Sequence, residues 1–318
     1  MKAAGRVACA MLILFLACTA AGCSRVHKLD GDASLYETLE REGYVLKWSD
    51  EFDGDRLDET KWKSGYSTPA RRGGYYLNDP DTVFVSDGSL TIRTRYLEDG
   101  IYGAGWYTGW LETATYRTAH NQNIPEGYEG FAAKYGYFEV RCICPPTVGI
   151  WSAFWLMPNG GLGMHDGDII GTGADGVEID IMESPYMYMA TNKDRVTHVL
   201  HGDGYGENAV SVNSEYYKVK DMYSEYHTYG VMWTETEYVF YIDGIETWRT
   251  DMTIDGVKYG VSEQEEYILL TVEVGGTVSE DGSVAYPGEN SWCGDPMKND
   301  TDKNYDFIVD YVRYYAKT

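Results

Sequence analysis

The sequence predicts an antiparallel β-sandwich, and three observations predict it. Past the first residues, no stretch of 12 or more shows sustained helical periodicity. Short runs alternate apolar and polar residues at period two, as strands with one buried face do. Gly, present 36 times, and Asp punctuate those runs at short intervals, and Asp-Gly pairs separate two of them.

Taken in order, Lys2 and Arg6 precede a small, apolar run, Val7–Gly22, the pattern of a cleaved export signal over residues 1–22. Thr19-Ala-Ala-Gly-Cys23-Ser24 resembles a bacterial lipobox with Cys23 as the lipidated residue. Lipid anchoring and plain secretion both place the mature chain outside the cytoplasm. Residues 23–45 read as a tether. Within it Ser34 and Glu37 have capping-box spacing, Leu35 and Leu39 lie four apart, and Gly43 follows, which predicts a short helix over about 34–42. Residues 46–318 then form one β domain, large enough for a sizeable core.

Val83–Val85, Asp87-Gly88 and Leu90–Ile92 read as a hairpin. Tyr137–Cys144 alternates, with Phe138, Val140, Cys142 and Cys144 on one face. Ile150–Met157 groups Trp151, Ala153, Trp155 and Met157. Thr236–Ile242 runs into Asp243-Gly244, a second hairpin turn. Tyr267–Val274 and Phe307–Tyr315 supply late strands, and Gly160–Gly176 is a long Gly/Asp loop.

That loop feeds Glu178-Ile-Asp-Ile-Met-Glu183, three carboxylates in six residues with no Lys or Arg between Asp175 and Glu183. Like charges this close raise one another's pKa. A regular strand turns Glu178 and Asp180 one way and Glu183 the other. A β-bulge near Met182 resets the parity and makes one acidic row on the solvent face. Paired carboxylates in a cleft suit glycosidic bond cleavage, one as nucleophile and one as acid/base, with Asp180 orienting the nucleophile. Spacing does not say which of Glu178 and Glu183 takes which role.

Trp151, Trp155 and Trp233 are candidate platforms for sugar rings. His201 reads as a neutral, hydrogen-bonding wall of the cleft, and His198 with His201 makes a poor metal pair. The charge of −24 becomes −26 once Lys2 and Arg6 leave with the signal. With no basic patch, such a surface argues against nucleic acid and disfavours polyanions. A neutral polysaccharide is the expected partner of a monomeric chain. Cys142, Cys144 and Cys293 are too few for a disulfide scaffold, and the first two read as core.

The blocks Trp48-Ser-Asp-Glu-Phe-Asp53, Tyr135–Arg141, Trp151-Ser-Ala-Phe-Trp-Leu-Met157, Tyr226–Trp233, Phe240–Gly244 and Val309–Arg313 flank the acidic motif in order. With the motif they resemble glycoside hydrolase family 16 in its bulged Glu-x-Asp-x-x-Glu form. The resemblance implies a concanavalin A-like jelly roll with a concave cleft and endo-acting, retaining hydrolysis that needs no cofactor. It makes Glu178 the nucleophile, Asp180 the helper and Glu183 the acid/base, and it places Trp151, Trp155 and Trp233 near the sugar. It also implies a structural calcium at Glu51 and Asp310. The Trp-x-Ala-x-Trp block points to β-1,3- or mixed β-1,3/1,4-glucan. Thr271, where glucanases commonly carry an Asn, and Glu273 keep an endo-β-galactanase open; a glucan-binding lectin is the non-enzymatic alternative.

Overall fold

The computed structural model describes residues 27–28, 35–77, 79–118, 124–159, 175–184, 194–203, 209–288 and 291–318. The expected export signal, Cys23 and residues 160–174 of the long loop lie outside them. Among the described residues no helix is long and apolar enough to cross a membrane.

Two sheets stack with the core between them. The first runs, in spatial order, Tyr217–Lys218, Arg195–Gly202, Glu178–Glu183, Ile150–Pro158, Glu266–Val274, Trp110–Glu112 and Lys63–Ser64. The second runs Ile245–Thr250, Tyr238–Ile242, His227–Trp233, Gly136–Ile143, Asn304–Lys317, Ser89–Leu97 and Gly105–Thr108. Nearly all pairs are antiparallel; Gly74–Tyr76 runs parallel to Gly105–Thr108.

Both expected hairpins form. Ser86 pairs with Ser89, and Ile242 with Ile245. Between them Asp87 and Gly88 have φ of 52° and 75°, and Asp243 and Gly244 have 51° and 73°. Two successive left-handed residues make the turn whose twist matches paired strands. Alternation then fills the core. Phe138, Val140, Cys142 and Cys144 from the second sheet share one cluster with Phe154, Leu156, Ile179, Ile181 and Leu270 from the first. Cys142, Cys144 and Cys293 are buried, and none of them is in a disulfide among the described residues.

The short helix spans Leu35–Arg41 and packs on the domain. Leu35 and Leu39 bury against Tyr137, Met232 and Val239, on the side of the second sheet away from the core. Burying two leucines contributes about 3–6 kcal/mol before entropy is counted, enough to hold a helix too short to form alone. The helix also covers Glu139, which is fully buried. The hydroxyls of Tyr36, Tyr137 and Tyr311 donate to its carboxylate at 2.6, 2.6 and 2.9 Å. Burial raises its pKa and the three donors oppose that rise.

Candidate active site

The acidic strand begins where the chain is tightly confined. Gly176 has φ of +104°, and a Cβ there would lie 2.3 Å from Pro158 Cγ, so only glycine lets the chain pass the end of the Ile150–Pro158 strand. Glu178 then pairs with His201, Ile179 with Leu200 and Asp180 with Val199. The register breaks next. On the Trp151–Trp155 side, Asp180 pairs with Trp155, Met182 with Phe154 and Glu183 with Ala153, so Ile181 has no counterpart. On the His201 side, Glu183 pairs with Thr197, which leaves Ile181 and Met182 together opposite His198. Both are fully buried. The bulge is centred on Ile181, one residue before the position the sequence suggests. It turns two consecutive apolar side chains inward and leaves Glu178, Asp180 and Glu183 on the outer face.

Charge on that face is balanced locally. Glu178 and Asp180 are 8% and 5% exposed, while Glu183 is half-buried. His201 Nε2 lies 3.3 Å from Asp180 Oδ2, and its Nδ1 lies 2.6 Å from Ser211 Oγ. Burial pulls the His201 pKa down. The hydrogen bond to Asp180 and the charges of Asp180, Glu178 and Glu183 outweigh it and push the pKa up to about 9. This corrects the neutral wall read from sequence, because at neutral pH His201 is a cation. One ligand atom from each of Glu178, Asp180 and His201 lies within 4.8 Å of the others. With His201 paired to Asp180, the three groups form an ion-pair network. The surroundings of Glu183 favour its protonated form. Burial raises its pKa well above the ordinary range, the charges of Asp180, Glu178 and Glu273 add to the rise, and His201 opposes it.

Aromatic residues crowd the same face. Trp155, 6% exposed, donates its indole N–H to Thr271 Oγ1 at 3.0 Å and meets Trp110 edge-on at 5.6 Å. Trp151, 4% exposed, lies under Trp292 at 5.0 Å and under the Arg72 guanidinium at 5.5 Å. Trp292 itself is 48% exposed, so its ring is the open aromatic surface at this end. Trp233 is a correction. It is fully buried in the core beside Tyr135 and Phe138, and its indole N–H donates to Ser262 O at 3.2 Å. It stands in the second sheet, where a Trp at a strand end reads the same in sequence whether it faces core or cleft.

Sequence reading missed a charged cluster beside Trp151. Glu273 pairs in register with Trp151. Its carboxylate takes Arg71 at 3.1 Å and Arg72 on its other oxygen. Arg71 also stacks 5.7 Å over Trp110. The signal was present in Arg71-Arg72, an adjacent basic pair in an acidic chain, but nothing local ties it to residue 273.

The two calcium candidates already have partners. Arg313 grips both oxygens of Glu51, at 2.9 and 2.7 Å, and Arg141 binds Asp310. Among the described residues neither belongs to a group of three convergent ligands. Calcium takes 6–8 oxygens, and carboxylates spent on guanidinium do not fit it.

The sequence profile of the β-porphyranase A–D GH16 domain matches residues 44–317. The chain belongs to glycoside hydrolase family 16. Endo-1,3-1,4-beta-glycanase ExsH of Rhizobium meliloti is 32% identical over 234 residues, 71% of this chain and 40% of that protein. The chain therefore spans about two-fifths of that relative's length. Beta-porphyranase B of Zobellia galactanivorans is 27% identical over 267 residues, 78% of this chain and 83% of that one. Among solved structures, the laminarinase catalytic domain of Thermotoga maritima superposes with a TM-score of 0.61 at 23% identity, covering 87% of this chain and 99% of that one. The two-sheet sandwich is thus the jelly roll of the family.

Proposed function

We propose that this family 16 domain is a retaining endo-β-glycanase that cleaves β-1,3- or mixed β-1,3/1,4-glucan. The observation that carries the reading is the register break at Ile181, which sets Glu178, Asp180 and Glu183 on one face. Glu178 attacks the anomeric carbon and forms a covalent glycosyl-enzyme. Glu183, held protonated, gives its proton to the leaving oxygen and then takes one from the water that hydrolyses the intermediate. Asp180, ion-paired with His201, orients the nucleophile and supplies the negative charge that keeps Glu183 an acid. Trp292, backed by Trp151, offers an open stacking surface for sugar rings. The three carboxylates with their imidazolium speak against a lectin, because binding a neutral sugar needs no such row.

A galactan is the second reading, and two observations favour it. Thr271 is engaged with Trp155, so it does not offer a free amide-like contact to glucose. Arg71, Arg72 and Glu273 build a charged wall beside Trp151. Products from laminarin, mixed-linkage glucan, xyloglucan, agarose and poly-lactosamine glycan decide between them. The expected result is internal cleavage of the first two, with early products that keep the β configuration. Activity confined to the last two overturns the glucan assignment, and early products of α configuration overturn retention.

The acid assignment makes a pH prediction. The basic limb of kcat/KM follows loss of the Glu183 proton, coupled to its neighbours. Glu273→Gln removes one charge that favours the protonated form and frees two guanidinium groups. Both effects lower the Glu183 pKa, so the basic limb is expected to move to lower pH. A limb that stays put or rises excludes Glu183 as the titrating acid.

A further inference from the structure

The ladder pairs Asp180 and Glu183 on both sides but leaves Ile181, between them, without a counterpart on the Trp155 side. A bulge leaves its extra residue without a ladder partner, so the backbone groups there take their hydrogen bonds from elsewhere. The described residues show what holds this one. His198, fully buried, stands opposite Ile181 and Met182. Its Nδ1 lies 2.7 Å from the Ile181 carbonyl oxygen, and its Nε2 lies 2.9 Å from Thr247 Oγ1 in the second sheet. Its ring stacks on Phe240 at 4.7 Å.

We propose that His198 is a positioning residue whose Nδ1–H grips the Ile181 carbonyl and thereby sets the spacing of Glu183 from Asp180 and Glu178. The claim rests on the catalytic roles proposed above. A carbonyl only accepts, so Nδ1 carries the proton. Burial lowers the His198 pKa to about 4, so the ring is neutral and Nε2 is an acceptor. The Thr247 hydroxyl then donates to Nε2. That hydroxyl also lies 3.0 Å from the Phe240 carbonyl, so one proton faces two acceptors. The Nε2 bond is therefore the weaker of the two, and the Nδ1 bond carries the constraint. The link runs from the bulge through the ring to a strand of the opposite sheet. Parity gives the same assignment, since His198 is three residues from His201 and so faces the core when His201 faces the site.

Three substitutions separate positioning from mere packing. Asn places an amide N–H where Nδ1 stands, Gln reaches only toward Thr247, and Phe keeps the stacking without either bond. In His198→Phe and His198→Gln, kcat is expected to fall about 100-fold with KM within about twofold, the scale of a misplaced catalytic group. The basic limb of the pH profile moves lower in both, as Glu183 leaves Asp180. His198→Asn is expected to stay within about fivefold of the wild type in kcat and to keep the limb. Independently of activity, hydrogen–deuterium exchange over residues 178–184 is expected to quicken about tenfold in the Phe and Gln variants and not in Asn. Asn as impaired as Phe, or unchanged exchange in Phe and Gln, overturns the proposal. If His198→Phe fails to fold, the Asn–Gln contrast carries the test. Wild type and Glu178→Gln run alongside. A wild type inactive on every polymer removes the proposed function, and the exchange result still decides whether His198 holds the bulge.

Discussion

Glu178→Gln is expected to lower kcat by about 10⁴-fold while oligosaccharide binding survives, the scale on which removing a covalent nucleophile acts. The substitution keeps the shape of the side chain and removes its charge. A second version separates the two glutamates. In Glu178→Gly, added azide enters the vacated space and displaces the leaving group once, so the glycosyl azide has α configuration. In Glu183→Gly, the glycosyl-enzyme still forms on an activated substrate, azide then displaces Glu178, and the product is the β azide. The configuration of the azide product therefore assigns nucleophile and acid/base without reference to rate. Azides of the opposite configuration in the two variants would exchange the roles.

Lys63→Met is expected to cost about 3–5 kcal/mol of unfolding free energy, since it strands a buried carboxylate. Lys63 and Glu112 are both fully buried at the edge of the first sheet, with Nζ 3.0 Å from Oε1. Burial pushes Lys63 down and Glu112 up, each away from its charged form. The surroundings favour the ion pair. Thr118 Oγ1 donates to Glu112 at 2.8 Å, Trp110 Nε1 donates at 3.4 Å, and Lys63 donates to the Tyr116 carbonyl. Thr118, Trp110 and Lys63 all direct donors at the carboxylate, which suits its ionised form. The double variant Lys63→Met with Glu112→Leu is expected to regain most of the loss, because no unpaired charge remains. Urea unfolding at constant m-value measures both, and a single-variant loss below about 1 kcal/mol would show that the pair does not hold the sheet edge.

Much of this architecture was legible because it is local. Asp87-Gly88 and Asp243-Gly244 dictate turns through backbone sterics, and Tyr137–Cys144 divides its faces by period two. The acidic row was legible for the opposite reason. Three carboxylates without a nearby cation violate what a plain strand tolerates, and only a bulge reconciles them. What could not be read are the partners that come from distant chain. Nothing near Glu51 announces Arg313, and nothing near Glu273 announces Arg71. Trp233 failed for a related reason, since an indole satisfied by the Ser262 carbonyl is as stable in the core as one stacked on sugar. The charge of His201 was misread because it depends on three carboxylates of a neighbouring strand, Glu178 directly opposite and Asp180 and Glu183 further along.

The close pairing of charges around the acidic strand also separates the behaviour of the site from that of the surface. The chain as a whole carries −24 charges. Dissolved ions act over about 8 Å at physiological ionic strength and screen exposed charges far more than enclosed ones. Asp180 has its imidazolium at 3.3 Å and Glu273 its guanidinium at 3.1 Å, both well inside that length. Salt concentration therefore governs how this molecule repels its own copies and other anions, and leaves the protonation of Glu183 to the fixed charges beside it.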